Sequence, residues 1–180
     1  RGGSVVTASL QFRVPPLYPK QHEAIFEPAR YSVIEASTKS GKTAGCLIWI
    51  LQQAATGGPG RNYWWIAPVA SQAEIAFRRL RQAIGPGGCT ARESPSPTIT
   101  LPNGATIWFK SAEKPDNLFG EDVYAAVADE ATRMREEAWH ALRTTLTATR
   151  GPVRIIGNVK GRKNWAWRLA RRAEAGEPGM

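Results

Sequence analysis

Ala36-Ser37-Thr38-Lys39-Ser40-Gly41-Lys42-Thr43 is the stretch whose reading decides the fold. The apolar run Tyr31-Ser32-Val33-Ile34-Glu35 precedes it and reads as a short strand. Ala44-Gly45-Cys46-Leu47-Ile48-Trp49-Ile50-Leu51 follows and reads as a buried helix. Strand, tight loop, Gly-Lys-Thr and helix form the context of a phosphate-binding loop. In such a loop the backbone N–H groups and the helix N-terminus point at phosphate, with the helix dipole behind them. Ser37, Thr38, Lys39, Ser40 and Gly41 supply that cradle, Lys42 reaches the β- and γ-phosphates, and the Thr43 hydroxyl completes a Mg²⁺ shell. One letter departs from the pattern, because Ala36 stands where a first Gly is usual.

Downstream, the continuous apolar run Val123-Tyr124-Ala125-Ala126-Val127-Ala128 ends in Asp129-Glu130. An acid closing a central strand of a phosphate-loop protein holds Mg²⁺. That role falls to Asp129. The adjacent Glu130 carboxylate is placed to polarise water for in-line attack on a γ-phosphate, which points to ATP hydrolysis of the motor type. Val153-Arg154-Ile155-Ile156-Gly157 reads as another buried strand, and Gly157-Asn158 at its end puts a polar side chain where a γ-phosphate is sensed, or makes a simple turn.

Ahead of the loop, Leu17-Tyr18-Pro19-Lys20-Gln21 suits adenine recognition, since one carboxamide both donates and accepts; the bland alternative is a helix N-terminus with Gln21 at the surface. Residues 1–16 read as an arm, 17–175 as the globular unit and 176–180 as a tail. Asn62-Tyr63-Trp64-Trp65-Ile66-Ala67 is a second buried strand. Ser71 with Glu74 suggests a capping box for a helix from Gln72 to Ile84, with Ile75, Leu80 and Ile84 inward. Residues 85–97 read as a Pro/Gly-rich loop, and Pro102-Asn103-Gly104 as the turn of a hairpin over 98–109. Helices are expected from Glu136 to Thr147 and from Asn164 to Ala175. Strands alternating with helices give an α/β fold with a mainly parallel sheet, flanked by helices and carrying the hairpin as an insertion.

With 180 residues, 42% hydrophobic and 22% charged, the chain is sized for one globular domain with a real core. It holds no apolar run long enough for a membrane span and no signal-peptide pattern, so export is not expected. Cys46 and Cys89 have no metal-ligand spacing. The net charge of +9 is the telling number. Arg78, Arg79 and Arg81 form one basic cluster, and Lys160, Arg162, Lys163, Arg168, Arg171 and Arg172 another. That asymmetry points to a polyanion, most simply nucleic acid.

Taken in order, Tyr18-Pro19-x-Gln21, Ser37-x-x-x-Gly41-Lys42-Thr43, Ala67-Pro68 with Gln72, Asp116-Asn117-Leu118-Phe119-Gly120, Ala128-Asp129-Glu130-Ala131 and Gly157-Asn158-x-Lys160-Gly161-Arg162-x-Asn164-Trp165 resemble the ATPase domain of the large terminase subunit of tailed bacteriophages. The resemblance runs from about residue 17 to 175. It implies a P-loop ATPase of the additional-strand type that packages double-stranded DNA in the host cytoplasm, as a ring on the portal, alongside a small terminase subunit. It also implies ATP and Mg²⁺ as ligands, Gln21 on adenine, Lys42 on phosphates, Thr43 and Asp129 on Mg²⁺, Glu130 on the attacking water, Asn158 in the coupling motif and a basic residue at Lys39. Sequence-independent contact with DNA phosphates, rather than base reading, is the expectation for such a motor. A helicase-like ATPase and a nucleotide-binding assembly module with little turnover are the alternatives.

Two departures stand out. Relatives often carry Arg just before the Gly at 120, as a finger for the neighbouring subunit, where this chain has Phe119; Lys114, Arg133, Arg135 and Arg143 are the substitutes at hand. The family's C-terminal nuclease domain finds no counterpart before Met180, so no nuclease site is placed and a piece of a longer protein is expected.

Overall fold

Parallel strands buried on both faces need apolar side chains at nearly every position, and the runs 62–67, 123–128 and 153–157 form such strands, while 31–35 forms a partly buried one. The computed structural model describes residues 16–35, 41–158 and 164–178. Its strands are β1 (Tyr31–Glu35), β2 (Asn62–Ala67), β3 (Thr90–Arg92), β4 (Thr98–Thr100), β5 (Thr106–Ser111), β6 (Val123–Ala128) and β7 (Val153–Gly157). The helices are α1 (Pro19–Phe26), α2 (Lys42–Ala55), α3 (Ala70–Ile84), α4 (Glu136–Thr145) and α5 (Trp165–Glu174), with 3-10 turns at Pro115–Leu118 and Ala131–Arg133.

One sheet runs β1-β7-β6-β2-β5-β4-β3. The first five strands are mutually parallel, and β4 and then β3 add antiparallel at the far edge. β7 lies between the strand that leads into the phosphate loop and the strand that ends in Asp129, which is the additional-strand order expected. Side chains alternate across the sheet. Ile34, Tyr63, Trp65, Val127 and Ile156 pack under α1, α2 and α3, while Trp64, Ile66, Ala126, Val153 and Ile155 pack under α4 and α5.

Three local expectations change. The segment 85–97 contains β3, paired through Thr90–Thr100 and Arg92–Thr98, so the loop is partly recruited to the sheet. α3 begins at Ala70 with Val69 as its N-cap and no side-chain cap. A carboxylate from across the sheet serves that helix start instead: Glu113 Oε2 accepts from Ala70 N at 3.4 Å and from Ser111 Oγ at 2.9 Å. Ile75 turns outward at 47% exposure, and Ala73, Ala76, Phe77 and Leu80 take the core face. The 98–109 hairpin forms and extends the sheet, because β5 pairs along its length with β2. Its turn is lashed to α2: Asn103 Nδ2 donates to Ala54 O at 2.9 Å and Ala55 O at 3.1 Å, while Asn103 Oδ1 accepts from Ala105 N at 3.0 Å.

The least expected core residue is Arg154, 2% exposed in the middle of β7. Its Nε donates to Ile25 O at 2.6 Å, Nη1 to Ala29 O at 3.0 Å and Nη2 to Glu27 O at 2.5 Å. The guanidinium also lies 4.4 Å from the centroid of Trp49. Burial pulls its pKa down to about 10, and it stays charged at neutral pH. The chain between α1 and β1 thus ends its orphan carbonyls on one planar fork. Arg154→Met is expected to lower the unfolding free energy by about 3 kcal/mol, since three carbonyls lose charged donors inside the core. Arg154→Lys should recover little of it, because an ammonium cannot copy the fork. Urea unfolding followed by tryptophan fluorescence checks both.

Candidate active site

The carboxyl ends of β6 and β7 open, with the first turn of α2 and one face of α3, onto one cleft of about 510 Å³. Its lining includes Lys42 and Thr43 from the first turn of α2, Gln72 and Arg79 from α3, Asp129, Glu130 and Arg133 after β6, and Gly157 and Asn158 after β7. Lys42, Thr43, Asp129, Glu130 and Asn158, all named from the sequence for phosphate, metal or hydrolysis, therefore meet in one place, at the sheet edge where such folds bind ligands.

Gly41 caps α2 with φ of 72°, a left-handed conformation that costs a side-chain-bearing residue about 1–2 kcal/mol. Lys42 is buried, and desolvation lowers its pKa while the nearby Asp129 raises it. Asp129 extends the ladder to β2 by donating its N–H to Ile66 O at 2.8 Å. Burial first, and then the charge of Glu130, push its carboxyl up to about 6; the Glu130 backbone N–H, Arg79 and Lys42 act against the shift. A desolvated carboxylate beside a threonine hydroxyl is a hard-oxygen pair that suits Mg²⁺, which takes one or two protein oxygens and leaves the rest to water and phosphate. Thr43 and Asp129 fit that ion.

Glu130 is held in place. Its backbone is left-handed, with φ of 48° and ψ of 45°, a conformation that survives in a non-glycine residue only when the surroundings fix it. Its Oε2 accepts from Gln72 Nε2 at 3.2 Å and from Arg133 Nη1 at 2.9 Å. Neither contact is visible in the sequence, where Gln72 is only a letter of a motif and Arg133 only a substitute finger.

Gln21 does not line the cleft. It sits in the first turn of α1, and its Oε1 accepts from Tyr18 N at 3.3 Å. The segment nevertheless lies against the start of α2: a Cβ on Gly45 would stand 2.7 Å from Ile25 Cδ1 and 3.1 Å from Leu17 Cδ1. Phe119 is half exposed outside the cleft. The basic cluster of α3 is split, since Arg79 faces the cleft while Arg78 pairs with Glu74 at 3.3 Å and Arg81 with Glu93 at 2.7 Å. Arg168 holds Glu136 with two contacts of 2.6 Å. Ser37, Thr38, Lys39, Ser40, Lys160, Arg162 and Lys163 lie outside the described residues. Among the described residues no helix is long and apolar enough to cross a membrane.

Residues 33–171 match the family described as terminase large subunit, T4likevirus-type, N-terminal. No curated protein matches the chain. Among solved structures, the large terminase ATPase domain of Thermus phage P74-26 superposes with a TM-score of 0.70 at 24% identity, over 86% of this chain and 69% of that one. The large terminase of a second thermophilic bacteriophage, in complex with ADP, gives 0.73 at 15% identity, over 89% of this chain and 43% of that one. This chain thus spans less than half the length of that full large terminase. A DEAD box protein from the hyperthermophile Methanococcus jannaschii gives 0.58 at 14% identity, over 85% and 45% of the two chains. At such identities the likeness is one of fold.

The charge on Asp129 carries a stability consequence. Its folded pKa of about 6 lies above the ordinary value of 3.8, so the folded state holds the proton more tightly than the unfolded chain. Ionisation therefore costs stability above pH 6, and that cost disappears as the pH falls from 6 towards 4. Asp129→Asn is expected to raise the stability of the ligand-free protein at pH 7 by up to about 3 kcal/mol, with little gain at pH 4. Thermal melts at the two pH values read this directly.

Proposed function

The chain belongs to the terminase large subunit family, T4likevirus-type, N-terminal part, and on that footing we propose that it hydrolyses Mg²⁺-ATP to drive double-stranded viral DNA into a prohead. One observation carries the reading: Lys42, Thr43, Asp129, Glu130 and Asn158 converge on a single cleft at the carboxyl edge of the parallel sheet.

Each side chain has a part. The α2 N-terminus and Lys42 bind the β- and γ-phosphates, and the buried Lys42 side chain loses less to water than a surface one would. Thr43 and Asp129 would hold Mg²⁺, which when bound offsets charge on the phosphate oxygens. Glu130 takes the proton of the attacking water. Gln72 and Arg133 keep its carboxylate aimed into the cleft, so little reorganisation remains for the reaction itself. Asn158 closes the cleft from β7 and is suited to touch the γ-phosphate. Gln21, one turn from the Leu17–Gly45 contact, contacts adenine once its carboxamide leaves Tyr18.

The wider role is read from the family. DNA is engaged through phosphates, by Arg78, Arg81 and the basic stretch 160–172, with affinity that falls steeply with salt. The working form is a ring on the portal, with the small subunit as a further partner, inside the host cell. With Arg133 on Glu130, the exposed Lys114, Arg135 and Arg143 are the substitutes for the finger missing at Phe119.

Glu130→Gln is expected to keep ATP binding within about threefold while reducing kcat by at least about 10³-fold. Steady-state hydrolysis and fluorescent-nucleotide binding, each across a protein concentration series, test this together. Turnover that survives in the variant sinks the assignment of the base, and wild-type binding without turnover at any concentration favours an assembly module. Gln21→Ala should weaken ATP binding about tenfold and leave pyrophosphate competition unchanged; equal loss for both would remove Gln21 from adenine.

A further inference from the structure

The strained backbone at Glu130 needs something to hold it, and the side-chain contacts to Gln72 and Arg133 do not fix φ and ψ. The segment that does so is the 3-10 turn Ala131–Arg133, closed by Arg133 N to Glu130 O at 2.9 Å and Met134 N to Ala131 O at 3.1 Å. That turn is gripped from outside by the N-terminus of α5. Asn164 Nδ2 donates to Thr132 O at 3.4 Å, and Trp165 Nε1 donates to Met134 O at 3.0 Å. Beyond them, Trp165 stacks on Trp139 at 5.2 Å and 11°, and Arg168 pairs with Glu136. From inside, Thr132 Cγ2 rests on β7, where a Cβ on Gly157 would stand 3.1 Å from it.

Asn164 divides its work between two atoms. Oδ1 accepts from Trp167 N at 2.9 Å and caps α5, while Nδ2 reaches the turn. An N-cap needs only the acceptor. The donor atom is therefore surplus to helix capping, and so is the indole N–H of Trp165 to the ring stack.

We propose that Asn164 and Trp165 are positioning residues, which hold Glu130 in its left-handed conformation through the Thr132 and Met134 carbonyls. The proposal rests on the reading of Glu130 as the general base. It places the start of α5 in mechanical contact with the catalytic carboxylate: a shift of that helix relaxes the turn, and the carboxylate moves with it. A displacement of about 1 Å at a reacting group is enough to cost up to 100-fold in rate.

Two conservative variants isolate the donors. Asn164→Asp keeps the capping oxygen and loses the donor to Thr132 O. Trp165→Phe keeps a stacking ring and loses the donor to Met134 O. Each is measured by hydrogen exchange at the Arg133 and Met134 amides, by ATP hydrolysis, by nucleotide affinity and by melting temperature. The expected result is exchange at those two amides at least about tenfold faster and kcat about tenfold lower, with Kd for ATP within about twofold and the melting temperature nearly kept. Unchanged exchange at Arg133 and Met134 overturns the proposal whatever the turnover. Faster exchange with wild-type kcat also overturns it, as does a fall in affinity and melting temperature in step with kcat, which marks a general structural role. A wild-type protein that binds ATP without hydrolysing it defeats the functional reading instead, and the exchange measurement still decides the clamp.

Discussion

A single buried guanidinium fixes the geometry on which the rest depends. Arg154 sits in β7, flanked by β1 and β6, and gathers the carbonyls of Ile25, Glu27 and Ala29. Those carbonyls belong to the chain that leaves α1 and turns into β1. Fixing that turn sets the direction in which β1 runs, and β1 delivers the phosphate loop. An arginine is a costly choice for a core, because desolvating its charge opposes folding unless every donor is met. Here the carbonyls and the Trp49 face meet it. A hydrophobic residue would fill the space without telling the α1–β1 connection where to go.

From that anchor the site follows by topology. Five parallel strands point their carboxyl ends the same way, so the segments after β6 and β7 share one rim with the first turn of α2. With β7 between β1 and β6, the lysine of the loop and the acids after β6 face each other across one strand's width, leaving room for phosphate. Electrostatics then tightens the arrangement: Lys42 and Asp129 are each desolvated, and each eases the other's charge. Among the described residues two non-glycines have positive φ, Glu130 and Arg150, and Glu130 is the one that lines the cleft, where Gln72 of α3 and Arg133 hold its carboxylate.

Much of this is legible in the sequence, for a physical reason. Residues 62–67, 123–128 and 153–157 are almost wholly buried, so their composition alone announces strands; 31–35 is an edge strand in which only Ile34 is buried, and the boundaries of all four coincide with those in the structure. Gly41-Lys42-Thr43 and Asp129-Glu130 are readable because phosphate chemistry demands those residue types at a strand end. What escapes are interactions whose partners lie far along the chain. Ser71 and Glu74 have capping-box spacing, yet Glu113 serves the α3 start from a different strand end. Ile75 has helical spacing for the core but points at the cleft rim. Nothing in the sequence around Arg154 reveals three carbonyls more than a hundred positions away. β3 is too short and too polar to show periodicity.

Asn103 carries a last consequence, for the order in which the molecule is made. The helix that begins at Lys42 is capped locally by Thr56 and Gly57, and its last two carbonyls, Ala54 and Ala55, take a further donor from a hairpin turn 49 positions beyond Ala54. A growing chain that has emerged only through α3 therefore has the local cap of α2 but not the Asn103 donor to Ala54 and Ala55. That donor waits for a non-local closure of the kind that slows folding. The helix whose first turn lines the cleft is thus tied at its other end to the outlying hairpin of the sheet.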